Sequence, residues 1–228
     1  MNKISIIIPT ILRCREILEA LISQLLKDSV VDEIIIINNS QKEFTYNNDK
    51  VKIYQQNENL YVNKAWNLGI SLIKNDTFGI FNDDILPCDN FCSQIVNNGI
   101  LEQNDTGLLG MNSSRLFCKD FGELEDDLSI PEPDEFCKLT FNELTDLDTL
   151  VDWGITIFGK KNNYYQIPEE LKICYGDNYL LYKNKDKKNY TIKGLLIKHI
   201  HSCSVRSRAF ESILLSDMNN WDNIKQTL

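Results

Sequence analysis

The 228-residue sequence has no apolar run near the roughly 18 residues that a membrane-spanning helix needs; its longest, such as Ile34 to Ile37, are strand-sized. No transmembrane segment is expected. The apolar stretch after Met1-Asn2-Lys3 stops at Ile8-Pro9 and lacks a small-residue cleavage site, so it is too short for a secretory signal and points to a cytoplasmic location. Gly-x-x-x-x-Gly-Lys-Ser/Thr and Gly-x-Gly-x-x-Gly are both missing, which excludes P-loop kinases and Rossmann dehydrogenases. Ile8-Pro9-Thr10-Ile11-Leu12-Arg13-Cys14 contains no glycine, which removes sugar-phosphate nucleotidylyltransferases and their glycine-rich loop. The seven cysteines form no Cys-x-x-Cys pair and have no histidine at zinc-finger spacing, so they read as reduced core residues. Excess positive charge is also lacking: the net charge is −9. No nucleic-acid partner is therefore expected, since polynucleotide binding needs a basic face.

The acidity is local. Residues 119–152 hold twelve acids against two lysines, which leaves the rest of the chain near neutral. Outside that stretch, apolar strand-like and helix-like segments alternate as βαβ units do, which predicts an α/β fold with a mostly parallel sheet flanked by helices. Ile4 to Ile8 and Glu33 to Ile37 read as buried parallel strands, and Val51 to Tyr54 as a weaker one. Helical periods run over Arg13 to Lys27, Val62 to Ile73, Asn90 to Leu101 and Arg208 to Trp221. Further strands are expected at Thr77 to Phe81, Gly107 to Met111, Val151 to Phe158 and Tyr190 to Ile197. The spacing gives one domain, 1–228, with an N-terminal half (1–112), an acidic insertion or loop (113–150) and a second half (151–228).

Ligands of open α/β sheets bind at the carboxyl ends of the strands. Three such ends are polar here: Pro9-Thr10, Asn38-Asn39-Ser40 and Asn82-Asp83-Asp84. Adjacent aspartates after an apolar strand repel, and a divalent cation relieves that cost; oxygen ligands suit Mg²⁺ or Mn²⁺. The alternative is that Asp83 and Asp84 form an Asx turn or helix cap before Pro87. The two histidines, His199 and His201, would face the same side of a strand.

Ile6-Ile7-Ile8-Pro9-Thr10, Glu33 to Ser40, Glu58-Asn59-Leu60 through Asn67-Leu68-Gly69-Ile70, and Asn82-Asp83-Asp84-Ile85-Leu86-Pro87 follow in an order that resembles the nucleotide-binding half of a GT-A glycosyltransferase, most like family 2. Trp153-Gly154, Ile167 to Leu171 and Gly176-Asp177-Asn178-Tyr179-Leu180 match its acceptor side more loosely. The resemblance implies a Rossmann-like, single GT-A domain that moves a sugar from a nucleotide-diphosphate donor, a UDP-sugar by preference, to a glycan or other hydroxyl acceptor. It implies metal dependence on Mn²⁺ or Mg²⁺ and an inverting reaction. Carried over by position, it makes Pro9, Thr10, Asn38, Asn39, Lys64, Asp83, Trp153 and Gly154 substrate-binding residues, with Asp84, His199 and His201 as metal ligands and Asp177 as catalytic base. Two positions depart from the family: many members have aspartate where Asn38-Asn39 stands, and Gly176 replaces the first acid of a Glu-Asp pair. Those departures are what a non-catalytic nucleotide-sugar or glycan binding module of the same fold would show.

Overall fold

A computed structural model describes residues 2–111, 116–118, 128–132, 138–147, 153–199 and 210–228. Its strands are β1 (Ile4–Thr10), β2 (Val31–Asn38), β3 (Val51–Gln55), β4 (Thr77–Phe81), β5 (Ile85–Pro87), β6 (Thr106–Met111), β7 (Leu116–Cys118), β8 (Thr140–Glu143), β9 (Thr156–Lys160), β10 (Lys188–Lys193) and β11 (Ile197–His199). The helices are α1 (Arg15–Lys27), α2 (Tyr61–Leu72), α3 (Phe91–Val96), α4 (Gly176–Lys183) and α5 (Glu211–Lys225). Among the described residues no helix is long and apolar enough to cross a membrane.

The isoleucine-rich strands form because both of their faces are covered. Side chains alternate across a strand, so Ile6, Ile8, Ile34 and Ile36 enter the core that holds Leu18, Leu21 and Ile22 of α1, while Ile7, Ile35 and Ile37 enter the one that holds Ala65, Trp66 and Ile70 of α2. Helix α2 reaches the sheet through Gly69, where a Cβ would stand 2.3 Å from Cγ2 of Ile7. The result is an eight-stranded sheet in the order β3-β2-β1-β4-β9-β6-β10-β8, with a smaller sheet β5-β11-β7 beside it.

The structure differs from the expected elements in several places. The sheet is parallel from β3 to β4, but β9 lies antiparallel to both neighbours, β4 and β6. An apolar run encodes burial on two faces and carries no sign of direction, so the reversal has no local signature. The acidic stretch is more than a loop: β7 joins the small sheet, and β8 extends the large one by pairing Phe141 with Ile192 and Glu143 with Tyr190. Its largely exposed edge position tolerates the Asn and Glu that hid it. The late strand divides into β10 and β11 at Gly194, whose φ is +85° and whose missing Cβ leaves room for the Lys138 carbonyl. Helix α3 stops at Val96, and the rest of the expected helix becomes a 3₁₀ turn, Ile100–Glu102, after Gly99 at φ +84°.

Candidate active site

The carboxyl ends of β1, β2 and β4 lie on one edge of the sheet, and the register fixes what stands there. Thr10 aligns with Asn38 across β1 and β2. From β1, the Thr10 hydroxyl donates to Oδ2 of Asp83 at 2.5 Å and accepts the Leu12 N–H at 2.8 Å, which ties the end of β1 to the acidic pair after β4. Burial pushes the Asp83 carboxyl up to about 7, the negative charge of Asp84 adds to the rise, and the Thr10 hydroxyl opposes it.

Asp84 immediately precedes β5, and β5 pairs antiparallel with β11 so that Ile85 faces His199. This pairing brings Nε2 of His199 to 3.4 Å from Oδ1 of Asp84, with both side chains buried. Asp84 Oδ1 accepts no hydrogen bond among the described residues. Two cis ligands of an octahedral cation at about 2.1 Å stand about 3 Å apart, so this pair fits two adjacent positions of a Mg²⁺ or Mn²⁺ ion. Among the described residues no group of three His, Cys, Asp or Glu side chains is arranged to hold a metal. A cation here would complete its shell from phosphate and water, the usual habit of Mg²⁺. His201 lies outside the described residues.

The second cluster forms around Asp177 in the first turn of α4. Tyr175, at φ 62°, holds the cap position, so Asp177 is not the N-cap; its Oδ1 instead accepts the Asn178 N–H at 3.0 Å. Gly154 makes room for it: a Cβ there would lie 2.7 Å from Oδ2 of Asp177. One residue on, the Ile155 carbonyl accepts the N–H of Asn82 at 3.2 Å, so Asp177 stands at the same edge as the Asn82-Asp83-Asp84 run. The absence of the first acid also has a steric cause. A Cβ on Gly176 would meet Oδ1 of Asn63 at 2.1 Å, and Asn63 is pinned by its amide to the carbonyls of Leu171 and Cys174, each at 3.1 Å.

Other expected site residues lie elsewhere or serve the chain itself. Asn38 donates to the Lys42 carbonyl and to Gln55 and accepts from Ser40 N–H, while Asn39 donates to the Tyr61 carbonyl. Both amides thus shape loops at the edge. Pro9 is buried within β1, beside Ile37. Lys64 is exposed and 3.7 Å from Glu169, an ion pair on the surface of α2. The indole of Trp153 is buried in the core against Gly110, where a Cβ would approach it to 2.2 Å. Three bulky residues adopt positive φ at this edge or beside it, Leu12 at 56°, Tyr61 at 60° and Tyr175 at 62°, a concentration of backbone strain typical of functional loops.

A carboxylate that the sequence did not reveal underlies the second cluster. Asp217 of α5 is fully buried and accepts three consecutive backbone N–H groups, from Lys172 at 2.9 Å, Ile173 at 2.7 Å and Cys174 at 2.8 Å. Backbone donors leave no residue-type signal, and 43 to 45 positions separate the partners, so no motif could have marked it.

Comparisons with known proteins agree with this architecture. The family model of "Glycosyl transferase family 2" matches residues 5–110, a little under half of the chain. No curated protein matches the chain in sequence. Among solved structures, S. aureus TarS 1-349 superposes with a TM-score of 0.57 at 14% identity, over 99% of this chain and 73% of that one. A longer S. aureus TarS chain is covered to 43%. GalNAc-T7 superposes with a TM-score of 0.65 at 14% identity, over 98% of this chain and 50% of that one. At these identities the superpositions establish the fold alone, that of a single GT-A-like α/β domain, and over residues 5–110 the sequence is similar to glycosyl transferase family 2.

Proposed function

We propose that the chain is a metal-dependent, inverting transferase that moves a sugar from a UDP-sugar to an acceptor hydroxyl. The observation that carries this reading is the Asp84 and His199 pair, buried 3.4 Å apart beside Asp83 at the carboxyl edge of β4. Neighbouring structures support the donor class: S. aureus TarS 1-349 is described in complex with UDP and with UDP-GlcNAc, and GalNAc-T7 with UDP, GalNAc and Mn²⁺.

In this reading Asp84 Oδ1 and His199 Nε2 would hold Mn²⁺ or Mg²⁺. When bound, the cation supplies positive charge against the negative charge that grows on the departing diphosphate. Thr10 fixes one oxygen of Asp83, a carboxyl that would face the donor. Asp177, in the first turn of α4, takes the proton of the acceptor hydroxyl as its oxygen attacks the anomeric carbon and the sugar–phosphate bond breaks. One displacement of this kind inverts the anomeric centre.

A second reading, a non-catalytic binding module, is favoured by one feature: Gly176 has no room for the family's first acid. Calorimetry with UDP in the presence and absence of Mn²⁺, followed by UDP release from UDP-GlcNAc and UDP-GalNAc, separates the two. Metal-dependent binding with turnover supports the enzyme; binding with no turnover over a broad donor and acceptor panel supports the module. Absence of binding to any nucleoside diphosphate with either metal removes both.

A further inference from the structure

The segment that leads into α4 is held from two sides. On its carbonyl side, the N–H groups of Val62 and Asn63 at the start of α2 donate to the Lys172 carbonyl at 3.0 and 3.1 Å, and the Asn63 amide donates to the carbonyls of Leu171 and Cys174. On its amide side, the Asp217 carboxylate collects the three consecutive N–H groups of residues 172–174. The next residue, Tyr175, is in the left-handed region and stacks on Trp221, one turn along α5 from Asp217, with ring centroids 5.6 Å apart at 9°. Gly176 and Asp177 follow at once.

A fully buried carboxylate is an expensive way to satisfy three amides in a surface loop, because the charged group gives up its water. What it provides beyond neutral partners is charge-assisted bonds from a rigid helix that fix three successive peptide planes. Those planes set the direction in which the chain enters α4.

We infer that Asp217 is a positioning residue for the transfer step: from α5 it holds the 172–174 peptides and, through Tyr175, sets the orientation of the Asp177 carboxylate. This rests on Asp177 being the base, as proposed above. The C-terminal helix is then part of the catalytic apparatus.

The test uses the full chain with UDP-GlcNAc and Mn²⁺ and compares Asp217→Asn, Asp177→Asn and the double variant by UDP release, with UDP affinity measured by calorimetry. An amide in place of the carboxylate can accept through one atom only, so part of the clamp is lost. A misplacement of about 1 Å at a reacting group costs about 10²-fold, so kcat of Asp217→Asn should fall by about that factor, with KM and UDP affinity unchanged. The double variant should be no slower than Asp177→Asn, since a residue that acts through another loses its effect once that partner is gone. Amide hydrogen exchange, which needs no substrate, should accelerate over residues 172–178 and stay unchanged in β1 and β2. Wild-type kcat in Asp217→Asn, or additive losses in the double variant, overturns the inference. Asp177→Asn at the wild-type rate instead overturns the base assignment, and this inference with it. If Asp217→Asn does not fold, Asp217→Glu keeps the charge but displaces it by one methylene and is read in the same way.

Discussion

At Gly176 an added methyl group would lie 2.1 Å from Oδ1 of Asn63, a buried side chain that cannot swing away without breaking its bonds to Leu171 and Cys174. Gly176→Ala is therefore expected to lower stability by roughly 1–3 kcal/mol, measured by urea unfolding. Gly176→Glu, which would restore the family's acid pair in sequence, should destabilise further and gain no activity. At the other cluster, Asp84→Asn removes one of two adjacent negative charges, so the fold should hold or gain stability while Mn²⁺-dependent UDP binding is lost. Calorimetry and a thermal melt read the two halves of that expectation separately; unfolding of the variant would mean that Asp84 is structural. These single-residue features were unequally legible. Thr10, Asp83, Asp84 and Asp177 stand where a strand ends or a helix begins, so local pattern and family resemblance both reach them. Asp217 was not legible because its partners are peptide N–H groups, and the burial of the Trp153 indole was not, because a tryptophan beside a glycine reads the same whether it faces a pocket or, as here, packs in the core.

At the opposite, amino end of the sheet, one buried carboxylate joins four elements. Glu33 of β2 accepts from Ser5 of β1 at 2.6 Å, from Lys52 of β3 at 2.8 Å and from the Lys74 N–H, just after α2, at 2.6 Å. Burial alone would raise its pKa, but the bonds from Lys52, Lys74 and Ser5 outweigh that and hold it below the ordinary glutamate value. A carboxyl with a depressed folded pKa adds stability above its unfolded value, about 4.3, and loses it as pH falls through the folded one. Glu33→Gln should thus cost about 2 kcal/mol near neutral pH, and the gap to the wild type should close as pH drops below about 4. Denaturant titrations across that range check it; a gap that is constant with pH would show that the charge is irrelevant. Elements with strong periodicity, such as β1, β2 and α1, were legible to within a few residues. The direction of β9 and the pairing of β8 were not, because both are decided by partners far along the chain.

For the molecule as a whole, α5 closes the core on the α2 side. Trp221 stacks on Tyr175 and meets Tyr182 edge-on at 5.5 Å, so it joins α5 to both ends of α4. Trp221→Ala should cost roughly 3–5 kcal/mol, a fall in Tm of about 6–15 °C at this chain length; differential scanning calorimetry would show it, and a change under about 2 °C would mean that α5 docks by other contacts. The place of β9 bears on how such a chain can be divided. It begins 45 positions after β6 ends, yet in the sheet it lies between β4 and β6 and pairs with both. The segment that matches the family, residues 5–110, therefore ends at β6 with its last strand cut off from the others. Expressed alone, it would leave β4 with an open edge, a ready template for another copy. The segment that sequence comparison recognises and the sheet it belongs to thus have different boundaries, because the strand that joins β4 to β6 comes from beyond it.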